Sequence, residues 1–550
     1  MNALLPGLER RNLGREVLAG VTLIAIAVPL NIGYAQIAGL PATAGLYALV
    51  VPTLVWAIAS SSRQLVVSPD AAAASLVASS IGGLAAAGSQ GYATMALAQA
   101  IICGGVFLLM SVFKLGFLAD FLSKPILIGF VGGLSLDILV SQVSKMLGVH
   151  LDPGTEFLDK LTGLVSGIGA TNPWSALIAA AAVTLLLAGR QLAPAVPWAL
   201  VALVSTTVVV ALTDAGAAGV TVLGEIPAGP PVLTWPMLDW AQWLALVPSA
   251  LALTMVASAE GLLVARSYGE KRGYPTRPNR DLLALGAASV AAGASGSFAM
   301  GASTSRTAAM DQLGSRTQLP SLVLAIGTLA LLLFGTGLLA EIPSPAIGAI
   351  VAVAVLPLLG LREFRGLWRL SRFEFWIGAT CFAVTLLVGA IAGILVAFVL
   401  ALINLARRAA QPAIDVLAQD DNPADSLLED APTGHMTADG TIVVRMAAPL
   451  FFANGAVFVR AVKVAITRVG GASSVRHLVI DMEAVTDVDV TGAEAFAGLR
   501  EWLERAGISL AFSRVRPGAR GRLEHFEIVQ PTDIVFDTNR AAVAAFRPRL

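Results

Sequence analysis

Charge and cysteine are scarce in this chain. Of its 550 residues, 13% are charged and 56% are hydrophobic, whereas roughly 25% of the residues of a soluble domain are charged. The mean hydropathy is +0.78, so most of the chain is expected to lie in a lipid bilayer. The formal net charge is zero and no nucleic-acid-binding signature occurs, so a nucleic-acid partner is not expected.

The residues that usually carry metal, redox or nucleotide chemistry do not form any recognisable motif. The two cysteines, Cys103 and Cys381, lie in apolar runs, and the four histidines are scattered. Neither a disulfide framework nor a metal site is therefore expected. Neither a Walker phosphate loop nor an H-E-x-x-H motif occurs. We expect no cofactor, no enzymatic activity and no transport driven by ATP.

Fourteen apolar runs of helical length follow one another between residues 17 and 410, which we predict to be the transmembrane domain. They lie near 17–34, 42–60, 66–82, 93–112, 124–147, 174–190, 197–213, 243–266, 281–294, 303–313, 320–340, 345–361, 373–388 and 389–406. The third and tenth runs are short and interrupted. Residues 1–16 are expected to form a cytoplasmic N-terminus, and the first run, which reaches Pro29 without a cleavage pattern, is expected to be a retained helix.

Basic and acidic residues are distributed unevenly between the loops that join these runs. Loops after even-numbered runs carry most of the lysine and arginine, including five such residues between Arg266 and Arg280. The opposite loops carry mainly acids, such as Glu225, Asp239 and Glu341. By the positive-inside rule, this pattern predicts fourteen spans in the inner (plasma) membrane with both termini in the cytoplasm.

An arginine stands in the middle of this apolar sequence, in the segment Ser297–Gln312, which reads SFAMGASTSRTAAMDQ. A charged side chain costs about 2.5–3.5 kcal/mol at the centre of a transmembrane helix, so Arg306 is a candidate anion-binding residue. Residues 304–313 would form a half-helix of roughly 15 Å whose N-terminus attracts anions. The alternative is a short re-entrant turn with Arg306 at the membrane interface, pairing with Asp311 or extending to water.

The two interrupted runs correspond to each other in the two halves of the sequence. The third opens with SSSRQLVVSPDAAAAS and the tenth, seven runs later, opens with GSFAMGASTSRTAA. Short interrupted segments at matching positions of two halves indicate a transporter's binding site. Because seven is odd, the two halves would have inverted topologies.

The hydropathy falls sharply after Arg407. Residues 411–440, rich in Asp, Pro and Ala, are predicted to be a linker, and residues 441–550 a compact cytoplasmic α/β domain. Within it we predict strands at 477–481 and 509–513 and helices at 455–468, 493–505 and near 519–527.

Several stretches in order resemble the sulfate permease family, also called solute carrier family 26. They are VPLNIGYAQIAGLPATAGLY (28–47), SRQLVVSP (62–69), GFVGGLSLDILVSQVSKMLG (129–148), ASAEGLLVAR (257–266) and STSRTAAMDQLGSRTQ (303–318). The tail LVIDMEAVTDVDVTGAEAF (478–496) resembles the core of a STAS domain. Together these matches cover nearly the whole chain.

This resemblance implies a seven-plus-seven inverted repeat divided into core and gate domains, elevator-type alternating access and a homodimer. It also implies a small-anion site between the third and tenth helices. The substrate-binding residues carried over by position are Tyr34, Asp70, Ala71, Thr304, Ser305 and Arg306. Glu260, on the eighth helix, lies where relatives have coupling residues. The alternative role for Glu260 is structural, paired with Arg266 or a backbone donor.

The sequence departs from the family pattern in ways that bear on coupling. Leu30 and Val264 stand where many relatives have polar residues, and the second of these makes sodium coupling doubtful. Asp70 would repel an anion unless it is protonated or paired with Arg306. We therefore expect Asp70 or Glu260 to take up a proton together with the anion. Asp137 is a third candidate, unless it pairs with Lys145 or faces a polar crevice.

The STAS-like segment contains one candidate switch. Asp489 is followed by Val490 and Thr491, and phosphorylation of a hydroxyl at this turn would add nearly two negative charges. The alternative role for Thr491 is the N-cap of the following helix. This domain is also a candidate binding surface for a cytoplasmic protein partner.

The function predicted from the sequence is secondary active transport of a small anion of the sulfate, bicarbonate or dicarboxylate class, as a proton symporter. Two alternatives use the same scaffold. One is an uncoupled anion channel or exchanger, and the other is a membrane-tethered anion sensor that signals through the STAS domain.

Overall fold

A computed structural model describes residues 6–86, 88–116, 124–151, 156–193, 196–213, 215–418, 429–430 and 434–547. The chain divides into two compact units, Met1–Ala401 and Leu402–Leu550. Each unit has a hydrophobic core of its own.

In its described part, the first unit is built of two very short strands and of helices, the last of which continues beyond Ala401. The helices are α1 (Leu13–Ile37), α2 (Ala42–Ala48), α3 (Val51–Ala59), α4 (Ala71–Ile81), α5 (Gln90–Val112), α6 (Lys124–Leu147), α7 (Phe157–Gly167), α8 (Pro173–Leu192), α9 (Trp198–Leu212), α10 (Trp240–Arg272), α11 (Pro278–Ala294), α12 (Thr304–Gln312), α13 (Leu319–Phe334), α14 (Ser344–Val355), α15 (Leu361–Leu370), α16 (Arg372–Leu387) and α17 (Ala390–Ala410). The strands are β1 (Val67–Ser68) and β2 (Gly301–Ala302), which pair antiparallel.

Each of the fourteen predicted apolar runs overlaps a helix or a pair of helices. By length and composition alone, six helical stretches of the described chain are long and apolar enough to cross a membrane. A seventh is added if the pair 157–170 and 173–189, bent by 113°, counts as one span. The remaining helices include α17, which has 21 residues, and several that are shorter than a full span. The number fourteen therefore stays a prediction.

Two helices were not expected from the apolar runs. α7 and α15 combine charged and apolar residues, as in LREFRGLWRL of α15. Helices with this composition commonly lie at a membrane interface, and a search for continuous apolar runs misses them.

The long helices pack in a pattern that repeats with an offset of seven runs. α1, from the first run, packs against α13, from the eleventh. α10, from the eighth run, packs against α5, from the fourth. The eighth run is the counterpart of the first run in the other half of the sequence, and the fourth run is the counterpart of the eleventh. A second group forms around α6, which packs against α14 and α16.

The second unit contains a six-stranded sheet flanked by helices. The strands are β3 (Ile414–Ala418), β4 (Glu429–Asp430), β5 (Thr441–Met446), β6 (His477–Asp481), β7 (Ser509–Ser513) and β8 (Ile534–Phe536), in the spatial order β4-β3-β5-β6-β7-β8. β5 to β8 are parallel, whereas β3 is antiparallel to both of its neighbours. The helices are α18 (Gly455–Arg468), α19 (Val490–Arg505), α20 (Pro517–His525) and α21 (Asn539–Phe546).

The structure confirms the predicted strands at 477–481 and 509–513 and the helix at 455–468. It corrects the linker predicted for 411–440, because β3 lies inside that range and pairs with β5. β3 was missed because its five residues, IDVLA, are few and do not alternate clearly between apolar and polar. Residues 419–428 and 431–433 of the predicted linker lie outside the described residues.

Candidate functional site

The two half-helices α4 and α12 begin side by side. β1 leads into α4 and β2 leads into α12, and the two strands pair with Val67 opposite Ala302 and Ser68 opposite Gly301. The pairing continues beyond the strands, where the Ser303 amide donates to the Val66 carbonyl at 3.0 Å. Because each strand is followed within three residues by its half-helix, the N-termini of both half-helices meet at this strand pair.

Arg306 lies in the first turn of α12 and is 1% exposed. Its Nη1 donates to Ser68 Oγ, and its Nη2 donates to the Pro69 carbonyl oxygen at 2.9 Å. Both acceptors are neutral and belong to the segment that leads into α4. The guanidinium charge is therefore held at the junction of the two half-helices without a salt bridge to any described residue.

The alternatives in which Arg306 pairs with Asp311 or extends to water are wrong, because Arg306 is buried and Asp311 has other partners. Asp311 lies near the C-terminal end of α12 and forms salt bridges with Lys271 at 2.8 Å and Arg272 at 2.5 Å. Its carboxylate thus binds basic residues at the end of α10. Arg306, at the opposite end of α12, lies at the junction of the two half-helices.

Two carboxylates, Asp70 and Glu260, lie at the starts of these half-helices, and Tyr34 of α1 is buried. Asp70 is the N-cap of α4, and its Oδ1 accepts a hydrogen bond from the Ala73 amide at 2.7 Å. Glu260 of α10 accepts a hydrogen bond from the Thr304 hydroxyl at 3.3 Å. The structure thus brings together four elements that are far apart in the sequence, α1, α4, α10 and α12.

Arg266, considered as a structural partner of Glu260, forms a salt bridge with Glu270. Arg266 Nε lies 2.9 Å from Glu270 Oε1, one turn further along α10. The partner observed for Glu260 is the hydroxyl at the start of α12. A carboxylate inside the membrane domain that contacts a half-helix is typical of a functional group.

The backbone of β2 packs closely against the side chain of Asp70 and fixes its position. At Gly301, on β2, an added Cβ would lie 2.2 Å from Asp70 Oδ2, which is far inside van der Waals contact. The carboxylate at the start of α4 therefore lies directly against the backbone of the opposite strand. Glycine is required here for this close approach rather than for its dihedral freedom.

Three of the remaining predicted residues lie at the starts of the half-helices, and the fourth, Asp137, does not. Ala71 is the first residue of α4 and is buried, and Thr304 and Ser305 are the first residues of α12 and are exposed. Asp137 is not part of this cluster, because its carboxylate forms a salt bridge with Lys160 of α7 at 2.8 Å. The pairing considered with Lys145 is wrong, since Lys145 Nζ donates to Gln36 Oε1 at 3.1 Å.

Sequence analysis missed two neutral residues of the site. Ser68 accepts a hydrogen bond from Arg306, although the two residues are 238 positions apart. Asn31 of α1 is fully buried, and its Nδ2 donates to the Ala27 carbonyl at 2.9 Å and lies 3.5 Å from Ser68 Oγ. Its Oδ1 has no hydrogen-bond partner in the described structure. The signal available in the sequence was the amide side chain of Asn31 in an otherwise apolar run.

The candidate switch in the STAS-like unit has a clear geometry. Asp489 caps α19, with its Oδ1 accepting from the Gly492 amide at 2.7 Å and its Oδ2 from the Phe452 amide at 2.9 Å. The alternative that Thr491 is the N-cap is therefore wrong. Thr491 is the second residue of α19 and its side chain is exposed.

Comparison with known proteins agrees with this architecture. The sulfate permease family matches residues 13–381, and the STAS domain matches residues 436–539. A relative named "Probable sulfate transporter MT1781", of Mycobacterium tuberculosis (strain CDC 1551 / Oshkosh), is 34% identical over 545 residues, which cover 98% of this chain and 96% of the relative. "Sulfate transporter 4.1, chloroplastic" of Arabidopsis thaliana is 27% identical over 520 residues, covering 90% of this chain and 74% of the relative.

Two solved structures have a similar fold. The murine solute carrier 26 family member A9 anion transporter, in the inward-facing state, aligns with a TM-score of 0.87 at 22% identity, covering 99% of this chain and 94% of that one. The transmembrane domain of the cyanobacterium bicarbonate transporter BicA aligns with a TM-score of 0.62 at 24% identity, covering 70% of this chain and 98% of that one. The family match over more than half of the chain and the 34% identical relative show that the chain belongs to the sulfate permease family, a family of transporters and not of enzymes.

Proposed function

We propose that this protein is a secondary active transporter that carries a small anion together with a proton, and that the anion binds between the N-termini of α4 and α12. The observation that carries the proposal is the buried Arg306 guanidinium at the junction of two half-helices. A helix N-terminus carries about half a positive charge. The exposed hydroxyl side chains of Thr304 and Ser305 add donors at the start of α12.

The charge balance at this junction argues for proton coupling. The junction contains one guanidinium and two carboxylates, Asp70 and Glu260, so the cluster carries one net negative charge when all three groups are ionised. Asp70 also occupies the α4 N-terminus, where it accepts from the Ala73 amide that an anion would otherwise use. An anion that entered the ionised cluster would meet repulsion in a medium of low dielectric constant. Protonation of one or both carboxylates removes this repulsion.

Thr304 provides a direct link between proton and anion. Its hydroxyl donates to Glu260 when that carboxylate is ionised. Once Glu260 is protonated, the carboxylic acid can donate to Thr304, and the hydroxyl hydrogen becomes available to an anion at the start of α12. Binding of a proton and binding of the anion therefore favour each other in this geometry.

The helix packing supports an elevator-type mechanism in a seven-plus-seven inverted repeat. In this proposal α1–α5 and α10–α13 form the core domain, which contains the site, and α6–α9 and α14–α17 form the gate domain. The repeated packing of α1 on α13 and α10 on α5 is what such a repeat produces. Movement of the core along the gate would expose the site alternately to the two sides of the inner membrane, with the protein as a homodimer and its termini in the cytoplasm.

Substrate and regulation are further parts of the proposal. The relatives are named sulfate transporters and a structural neighbour is named a bicarbonate transporter, and a dicarboxylate fits the same chemistry of one guanidinium and two helix termini. In the STAS domain, a phosphate on Thr491 would lie in the first turn of α19, where the helix dipole stabilises it. Such a modification would change the surface that a cytoplasmic partner binds.

The test is uptake by the full chain reconstituted in liposomes. Radiolabelled sulfate, bicarbonate and fumarate are supplied with and without an inward proton gradient. We expect the gradient to stimulate uptake of one of them, Arg306→Ala to abolish it, and Asp70→Asn or Glu260→Gln to remove the dependence on the gradient. Glu270→Gln is the matched control, because this exposed carboxylate lies on the same helix and pairs with Arg266.

Three outcomes would contradict this function. Uptake by the unmodified protein that does not depend on the proton gradient indicates a channel or exchanger. Anion binding by calorimetry without any uptake indicates the membrane-tethered sensor. An unchanged pH dependence in both carboxylate variants excludes Asp70 and Glu260 as the proton-coupling residues.

A further inference from the structure

A cationic cavity lies in the first unit, and its lining residues differ from those at the junction of α4 and α12. Its volume is about 220 Å³, and residues from the end of α3, the loop after it, the loop between α10 and α11, and the start of α11 line it. Its polar walls include Ser60, Ser61, Arg63, Arg277, Arg280 and Gln318. The charge distribution of the sequence assigns these loops to the cytoplasmic side.

The walls of this cavity are fixed by hydrogen bonds between distant segments. The amide and the hydroxyl of Ser61 donate to the Asp281 carboxylate at 2.6 and 2.9 Å. The same hydroxyl accepts from the Arg277 amide at 2.8 Å. Gln318 Nε2 donates to the carbonyl oxygens of Ser62 at 3.0 Å and Leu65 at 2.9 Å. The cavity therefore has a defined shape rather than being a gap between loose loops.

The three arginines of the cavity keep most of their donors unused. Arg63 stacks over the Tyr274 ring at 4.9 Å, and Arg280 Nε donates to the Ala59 carbonyl at 2.9 Å. Arg63, Arg277 and Arg280 form no salt bridge within the described part of the chain. The neighbouring carboxylate, Asp281, is already bound by Ser61 and the Ser62 amide. Three positive charges thus face one negative charge.

We propose that this cavity binds a phosphate monoester group, either on a small soluble molecule or on a lipid headgroup. Planar guanidinium groups match phosphate oxygens in pairs, and three of them around one polar cavity suit a doubly charged group. The cavity also lies at the N-terminal end of α11, a helix of 17 residues, whose dipole favours an anion. Arg277 and Arg280 are exposed, so the rest of the ligand can extend outward.

The bound phosphate is connected to the transport site by a short stretch of chain. Arg63 lies five residues before Ser68 and six before Pro69, whose oxygens bind the Arg306 guanidinium. A ligand that fixes Arg63 also fixes the loop that presents these two oxygens. Binding in the cavity therefore stabilises the arrangement of the anion site, although the binding itself does not depend on the proposed transport function.

The first experiment measures binding to the purified full chain in phosphatidylcholine nanodiscs. Inorganic phosphate and glycerol phosphate are titrated by calorimetry, and in a second arm phosphatidic acid replaces part of the lipid and bound lipid is counted by native mass spectrometry. Binding in the first arm identifies a soluble ligand, and binding in the second arm alone identifies a lipid. Either result supports the site if the variants below behave as expected.

The variants separate this cavity from other cationic surfaces. Arg277→Ala/Arg280→Ala is expected to weaken binding by about tenfold or more, because two of three phosphate-binding groups are lost. Arg365→Ala/Arg369→Ala removes the same charge from exposed positions of α15 and is expected to leave binding unchanged. Arg306→Ala is expected to retain binding. Arg63→Lys keeps the charge but loses the planar group, so it should weaken binding without loss of the folded state.

Several results would overturn the proposal. Loss of binding in Arg306→Ala with retention in the Arg277/Arg280 double variant would assign the phosphate to the transport site. An equal loss in the α15 control would reveal a diffuse charge effect. Sulfate competing as well as glycerol phosphate would show that the cavity does not select phosphate. Thermal unfolding of each variant checks that it is folded, and normal binding by a folded Arg63→Lys variant would also contradict the site.

Discussion

At the scale of single residues, the site depends on how closely Asp70 approaches the opposite strand. Gly301→Ala tests this contact, since the new Cβ would lie 2.2 Å from Asp70 Oδ2. Overpacking of this kind costs about 1–3 kcal/mol, and the simplest relief is to move the carboxylate away from the α4 N-terminus. We expect a lower thermal unfolding midpoint and anion uptake reduced about tenfold or more, measured in liposomes.

Gly261→Ala is the matched control for this substitution. Gly261 lies on α10 next to the same strand, but an added Cβ there would have Ala302 Cβ as its nearest neighbour, at 3.4 Å. Alanine is also favoured over glycine inside a helix. We expect normal uptake in the control, and equal effects of the two substitutions would contradict a specific role for the Gly301–Asp70 contact.

The charged residues of the site could be predicted from the sequence, whereas their neutral partners could not. Arg306 is conspicuous because charge is costly in an apolar run, and Glu260 was assigned by the resemblance to the family. Ser68 and Asn31 are polar residues of ordinary types, and their roles follow from contacts across 238 and 37 positions. Such contacts depend on the tertiary fold, so the sequence shows at most an isolated amide at Asn31 in an apolar run and does not identify its partner.

At the scale of elements, two strands of two residues each join the half-helices. The half-helices could be predicted because Asp70 and Ser303 are good N-caps, and both side chains accept from the first turn of their helices. β1 and β2 could not, since two residues are too few for an alternating pattern. The pairing of the strands decides where the two helix N-termini meet.

Thr307 stabilises this strand pair through two hydrogen bonds, and Thr307→Val tests how much they contribute to stability and uptake. Its buried hydroxyl accepts from the Val66 amide at 3.0 Å and donates to the Ser303 carbonyl at 2.6 Å. Valine has a similar shape but leaves the buried amide without an acceptor, which costs about 1–3 kcal/mol. We expect a lower thermal unfolding midpoint and slower uptake, because the α12 N-terminus is held less firmly beside α4.

Thr328→Val makes the same chemical change where no hydrogen bond is lost. Thr328 of α13 is fully buried, and its hydroxyl has no partner in the described structure. Replacing an unsatisfied hydroxyl with a methyl group is expected to be neutral or stabilising. If Thr307→Val proved as harmless as Thr328→Val, the strand pair would not be a determinant of the site.

At the scale of the whole molecule, an elevator mechanism requires α1 of the core to move against α14 of the gate. These helices touch where an added Cβ at Gly33 would lie 3.9 Å from Val351 Cβ, close to the mean Cβ–Cβ distance of about 3.8 Å in disulfides. The double variant Gly33→Cys/Val351→Cys, with Cys103 and Cys381 replaced by Ala, should therefore cross-link under oxidation. We expect the cross-link to abolish anion uptake in liposomes and a reducing agent to restore it.

A cross-link inside the gate serves as the control for this prediction. An added Cβ at Gly167, the last residue of α7, would lie 3.7 Å from Val149 Cβ, just after α6. Both positions belong to the proposed gate domain, so Gly167→Cys/Val149→Cys should form a disulfide of similar geometry without blocking a movement of core against gate. Uptake that survives complete oxidation of the Gly33/Val351 pair would rule out relative motion at this contact, whereas loss of uptake in both pairs would point to a general effect of oxidation.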